Sequence, residues 1–423
     1  MILKMNKSET FCILPWTHIA TWTDGSALLC CVAQNSHKLN FNKDSVDTIW
    51  NSEHFKDARV KMLKGEKVSA CDHCYKEEAA GIRSHRINEN VLWENKLGED
   101  RIAELISSTK KDGTLTENFI TLDLRLGNTC NLQCVMCRPQ DSSMWLSNAK
   151  KLKDILETDA KWDWEHKSNI DTDQFEWYKK EKLWKDFEPM FSTIRHLIFA
   201  GGEPLLIKEH LQLIKNLVKF GYSKNIELRY HTNGTIISEE IVNLWKEFKF
   251  VEVMASIDAW GEHLEYVRYP ANWELISGNL KKLDKTPDNI DVKVLATIHA
   301  MNVYYIPEFA ENMLKSKFKR VGHLHHSGVF HAGTVHWPRY LSIKVFPKSI
   351  KSEIRKKWES FEELKYNKQW REKILSQLDF MDSEDLSDLY PQFIDYRDKL
   401  DKIRNTSFKK TFPEFYKVLE NAN

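Results

Sequence analysis

The chain has 423 residues, 42% apolar and 12% aromatic, which suffices for two or three domains with sizeable cores and excludes general disorder. Its 62 basic and 61 acidic side chains leave a formal net charge of +1, which argues against a bulk polyelectrolyte partner such as duplex nucleic acid. The opening Met-Ile-Leu-Lys-Met-Asn-Lys lacks the apolar core of a signal peptide, and no apolar run approaches the ~20 residues of a membrane helix, so a cytoplasmic protein is expected.

Residues 1–112 read as a small α+β domain of short strands, turns and helices. The run from 20 to 30 predicts a hairpin, because Asp24-Gly25 supplies the positive φ of a tight turn. Such a hairpin presents Cys12 and Cys30 from neighbouring strands, and the CxxC pair Cys71 and Cys74 closes the other side. Cys31 is a fifth thiol of this region. Four cysteines that include a CxxC pair suit structural zinc as well as an iron–sulfur cluster. Residues 75–110 look helical and charged, with Arg83, Arg86, Glu94, Lys96 and Arg101, and read as a solvated connector ending in the turn residues at 110–113.

Residues 113–340 alternate strand and helix. Ile120, Leu122, Leu124 and Leu126 mark a first strand that runs into Cys130, Cys134 and Cys137, spaced CxxxCxxC. Soft thiolates select zinc, copper(I) or iron–sulfur clusters. This loop offers zinc no fourth local ligand, whereas three thiols suit a cubane with one iron left open. A helix is predicted over 140–155, then a Trp-rich insertion over about 156–190 whose Trp162, Trp164, Trp177 and Trp184 read as packing anchors. Strands are predicted at 197–200, 226–230, 251–257, 292–298 and 321–325, separated by helical patterns, which together imply a parallel sheet. His323, His325, His326 and His331 fall at the last of these, as cavity lining, metal ligands or packing. Residues 341–423 predict a supporting helical extension, opened by Ile350, Ile354, Trp358 and Phe361. All eight cysteines lie within the first 137 residues, a clustering that in a reducing compartment points to metal or cluster ligation rather than disulfides.

The CxxxCxxC loop after a first strand, with Gly201, Gly202, Glu203 and Pro204 ending a later one, resembles the radical S-adenosylmethionine (SAM) superfamily. That resemblance implies a partial (β/α)6 TIM-like barrel within an α/β chain. It also implies that Cys130, Cys134 and Cys137 hold a [4Fe–4S] cluster whose open iron binds SAM. Gly201, Gly202, Glu203 and Pro204 would receive the SAM amino group, Asn233 would lie near the cofactor, and Ser256 and Asp258 would reach its ribose. Arg268 would pair with its carboxylate, and Met136 stands where the family has an aromatic residue against adenine. Ala259 replaces the family's usual glycine. The N-terminal pattern Cys12-Ile-Leu-Pro15-Trp16, Asp24-Gly25-x4-Cys30, Asp47-Thr-Ile-Trp50-Asn51 and Cys71-x2-Cys74 is similar to the twitch or SPASM domain, which holds an auxiliary [4Fe–4S] cluster and usually follows the barrel. The implied function is reductive cleavage of SAM to a 5′-deoxyadenosyl radical that takes hydrogen from a substrate, by analogy a peptide or protein side chain, with an external flavodoxin- or ferredoxin-type reductant. Two alternatives stand beside it: a modifier of a small molecule or nucleoside, and a non-catalytic zinc- or cluster-binding protein.

Overall fold

The structure, a computed structural model, describes residues 9–34, 37–79, 83–152, 172–322, 329–361 and 368–421. It has two compact units. The first contains residues 1–128, 171–229 and 247–249, and the second 129–170, 230–246 and 250–423.

In the first unit the Asp24-Gly25 turn joins β1 (His18–Thr21) to an antiparallel β2 (Ala27–Leu28), with Ala20 opposite Leu28. Gly25 has φ +82°, and a Cβ there would lie 2.8 Å from Cγ of Trp177, so both backbone and space demand glycine. Trp177 is fully buried and donates from Nε1 to the Thr23 carbonyl at 3.0 Å, acting as a packing anchor. Trp162 and Trp164 lie outside the described residues. On its other edge β1 runs parallel to β3 (Thr121–Arg125), and β3 runs parallel to β4 (His196–Ala200). The period of two puts Leu122 and Leu124 on one face and Thr121, Asp123 and Arg125 on the other.

Helices of this unit start at serine caps. Ser52 accepts from Phe55 N ahead of the helix Glu53–Leu63, and Ser84 accepts from Ile87 N ahead of His85–Leu97. The expected solvated connector needs one correction, because Arg86 is buried. Glu78 from the helix Asp72–Ala79 accepts from its Nε at 3.0 Å, and the Phe11 carbonyl accepts from Nη1 at 2.7 Å, so its charge is compensated inside. Arg59 is likewise fully buried, donating to the carbonyls of Pro15, Trp50 and Gly113 while its guanidinium lies 4.3 Å from the Trp50 ring centroid.

The chain passes into the second unit within β5 (Glu227–Thr232), whose burial alternates residue by residue. There β6 (Phe250–Ser256), β7 (Ile290–Ile298) and β8 (His331–Thr334) are parallel, with Val251 opposite Ile290 and Leu295 opposite His331. The intervening helices bury faces at i, i+3, i+4 and i+7, as Ile306, Phe309, Ala310 and Met313 do in Ile306–Lys315. From β3 to β8 this is the partial (β/α)6 TIM-like barrel of an α/β chain.

One local expectation fails, and another falls mostly outside the described residues. Of the strand expected at 321–325, Val321 and Gly322 form a turn, Gly322 with φ +72°, while His323, His325 and His326 lie outside the described residues; a strand follows at His331–Thr334. The helix expected over 140–155 is, as far as residue 152, a series of short turns at Ser143–Trp145, Leu146–Ala149 and Lys150–Leu152. Ser142 and Asn148 there use their side chains on Leu132 O and Gln133 Oε1, in competition with helical bonding. The C-terminal extension is helical as expected, and Lys348–Ser360 buries Ile350, Ile354 and Trp358. Among the described residues no helix is long and apolar enough to cross a membrane.

Three buried histidines set a pH limit on stability. Burial holds the imidazoles of His18 and His210 down to about 3 and that of His299 down to about 4. In the unfolded chain each takes a proton near pH 6.5, so as pH falls below that value the unfolded state binds more protons and stability is lost. The unfolding free energy should therefore fall between pH 7 and 5 with a slope of up to about 4 kcal/mol per pH unit. Urea titrations at stepped pH check this, and His210→Phe should flatten the slope.

Candidate functional site

The three-cysteine loop lies wholly in the second unit. Its backbone is extended and irregular, so its polar groups are paired from elsewhere. Gln133 N donates to Tyr269 O, and Val135 N donates to Val267 O at 2.8 Å. Cys134 is buried, and Arg268 Nη1 stands 3.6 Å from its Sγ. A hydrogen bond from Cys137, helped by Arg268, lowers the Cys134 thiol to about 7, while the same bond and burial push Cys137 well up. One of the pair is thus ready to be a thiolate near neutral pH. Asn233, just past β5, places Nδ2 3.8 Å from Cys130 Sγ and 2.9 Å from Asn131 Oδ1.

Past β6, Ser256 is half-buried and Asp258 is fully buried. Asp258 Oδ1 accepts from Thr297 N at 2.7 Å, and Oδ2 lies 2.7 Å from Arg268 Nε in a buried ion pair. Asp258 therefore orients Arg268, and Arg268 reaches Cys134. Met136 is half-buried on the same loop.

Gly201, Gly202, Glu203 and Pro204 lie in the first unit, after β4. Gly201 has φ +111°, and a Cβ there would stand 2.9 Å from the Gly127 carbonyl oxygen. Glu203 is buried and caps the following turn, its Oε1 accepting from Leu205 N at 3.1 Å. In the same unit Cys12, Cys30, Cys71 and Cys74 line one cavity with His73 and His85. Burial raises all four thiols, Cys71 to about 12, and repulsion from neighbouring thiols adds to the rise at Cys12, Cys30 and Cys71. A cationic core offsets both effects, so an all-sulfur donor set of this kind suits a metal or an iron–sulfur core. Among the described residues no three His, Cys, Asp or Glu side chains are gathered closely enough to hold a single ion. Cys31 lies apart from the cavity lining, its Sγ 3.7 Å from His85 Nε2.

Comparison with known proteins adds the decisive observation. The family model of the radical SAM superfamily matches residues 124–313. That stretch is a radical SAM domain. A second model, the iron–sulfur cluster-binding SPASM domain, matches residues 12–75, ahead of the radical SAM domain in the chain. The cofactors that these two domains imply are SAM, a [4Fe–4S] cluster and an auxiliary iron–sulfur cluster. Among solved structures the chain is similar to anSMEcpe with bound AdoMet and a peptide, at 15% identity and TM-score 0.35, covering 59% of this chain and 61% of that one. It is also similar to SuiB of Streptococcus suis bound to SAM, at 11% identity and TM-score 0.34, covering 72% and 60%. The SuiB complex with its precursor peptide SuiA gives 13% identity and TM-score 0.34, covering 71% and 62%. The chain thus spans about three fifths of the length of these neighbours. No curated protein matches it.

Several residues around these sites escape the sequence reading. Arg86 and Asn90 both donate to the Phe11 carbonyl, and Asn90 Oδ1 accepts from Ile13 N at 2.8 Å, so one helix clamps the backbone on either side of Cys12. On β3, Asp123 is buried with Oδ1 unpaired among the described residues, as is Nε of Arg125 two residues on. The available signal is a charged residue at the centre of an apolar strand.

The Asp258–Arg268 pair yields a stability test. Arg268→Met leaves a buried carboxylate without its cation and should cost about 3–5 kcal/mol in denaturant unfolding. Combining it with Asp258→Asn should recover part of that loss, because the stranded charge is gone. An equal or larger loss in the double variant would contradict the pairing.

Proposed function

We propose that this chain uses SAM and a [4Fe–4S] cluster held by Cys130, Cys134 and Cys137 to modify a peptide or protein side chain, with the auxiliary cluster held by Cys12, Cys30, Cys71 and Cys74. The observation that carries the reading is the second thiol set lining one cavity, in a chain whose cysteine loop already accounts for the first. Bound cluster and SAM supply one electron and a 5′-deoxyadenosyl radical that removes a hydrogen atom from carbon.

The residues of the chain do the rest. Arg268, set by Asp258, holds a fixed fork beside Cys134 that suits the carboxylate of SAM. Gly201 and Gly202 leave backbone bare for its amino group, with Glu203 as the acidic member. Ser256 and Met136 serve its ribose and adenine. The peptide reading follows by analogy from the SPASM domain that accompanies the radical SAM domain. A net charge of +1 gives no general hold on phosphate backbone. An external one-electron reductant completes the reaction.

Anaerobically reconstituted protein should hold about eight irons, falling to about four when Cys130, Cys134 and Cys137 are all replaced by Ala. That triple variant should form no 5′-deoxyadenosine with dithionite and SAM. Cys71→Ala with Cys74→Ala should keep uncoupled SAM cleavage yet lose peptide product, read by mass spectrometry. Parent-level 5′-deoxyadenosine from the triple variant would overturn the assignment, and tight RNA capture with a steep salt slope would favour a nucleoside substrate instead.

A further inference from the structure

Four successive carbonyls of the cysteine loop are each held by a side chain. Ser142 Oγ donates to Leu132 O at 2.5 Å, Arg404 Nη2 to Gln133 O, Trp145 Nε1 to Cys134 O at 3.0 Å, and Tyr396 Oη to Val135 O at 2.8 Å. Two of these donors, Tyr396 and Arg404, belong to the helix Tyr390–Arg404 of the C-terminal extension.

Arg404 differs from the others because it brings a charge. Its side chain is buried, with the guanidinium carbon 5.1 Å from the Trp145 ring centroid and 5.2 Å from that of Tyr269. Nε and Nη1 are buried with no hydrogen-bond partner among the described residues. Arg268, which also stands beside Cys134, is neutralised by Asp258 at 2.7 Å, and Arg138, next to Cys137, is paired with Asp141 at 2.9 Å. A buried guanidinium with spare donors is costly unless it meets negative charge, and a guanidinium keeps its proton in that setting. Asp401, three residues back on the helix, turns its carboxylate oxygens to Thr406 and Phe408, whereas the thiol of Cys134, next in sequence to the carbonyl that Arg404 holds, interacts with the Arg404 charge.

We infer that Arg404 is a positioning residue that stabilises the reduced state of the SAM-binding cluster, fixing the loop through Gln133 O and supplying a net positive charge beside Cys134. A [4Fe–4S] core with three thiolates gains one negative charge when it takes an electron, and a cation held in low dielectric favours the more negative state. The reductive start of the reaction is then set partly by a residue that touches neither SAM nor iron. This inference rests on the assignment of Cys130, Cys134 and Cys137 as the cluster ligands.

The test compares Arg404→Gln, which keeps a donor for the carbonyl and loses the charge, with Arg404→Lys, which keeps the charge and loses the planar fork. In reconstituted full-length protein the potential is read by EPR, following the reduced signal that changes shape when SAM is added. At a fixed solution potential, Arg404→Gln should lower the ratio of reduced to oxidised cluster about tenfold, a shift of ~59 mV for a one-electron couple. Arg404→Lys should retain most of the parent ratio. An unchanged ratio in Arg404→Gln at full iron content would overturn the inference, as would loss of about four irons in both variants, which would make Arg404 a purely structural residue of the loop. Separately, a SAM-responsive signal that survives replacement of Cys130, Cys134 and Cys137 would overturn the ligand assignment itself.

Discussion

A buried loop without regular structure must still satisfy its backbone polar groups, since each one left unpaired costs about 1–3 kcal/mol. The cysteine loop meets this constraint with borrowed partners: Ser142, Trp145, Tyr396 and Arg404 for its carbonyls, and the carbonyls of Val267 and Tyr269 for its amides. Every one of those partners lies outside the loop. The segment 267–269 that accepts from the amides also carries Arg268, so the strand-end ion pair and the loop geometry are fixed together. Asp258 in turn is pinned by Thr297 N and, through its own carbonyl, by Asn302 Nδ2. The ends of β6 and β7 therefore set the orientation of the thiols.

The first unit solves a similar problem around different cysteines. Cys12 sits in a short buried stretch whose neighbouring backbone groups are taken by Arg86, Asn90 and Arg59. Buried arginines are well suited to this work. One guanidinium offers five donors, enough to gather carbonyls from several segments, and its plane packs on rings such as Trp50.

Much of this fold is legible in the sequence because strand positions follow a period of two that survives burial. The five strands from β3 to β7 begin and end within a residue or two of the apolar runs that announce them. The Asp24-Gly25 hairpin is legible for a different reason, since only glycine tolerates its φ. The broken turns after the cysteine loop are not legible. There the outcome depends on single residues, the side chains of Ser142 and Asn148 bonding to segments close in space. The cysteines announce themselves through spacing, whereas Arg404 and Arg86 read as ordinary charges on helix surfaces. Their burial depends on partners that no local pattern reveals.

The closure of the β1–β2 hairpin by Trp177 bears on how the protein is made. On the ribosome Cys12, Cys30, Cys71 and Cys74 emerge well before Trp177, which packs against Gly25 and bonds to Thr23. β1 likewise waits for β3 before its second edge is paired. Until those later segments arrive, the hairpin that carries Cys30 is held only by its own turn and the short β2. The hairpin that carries Cys30 is thus completed late in synthesis, long after all four N-terminal thiols have been made.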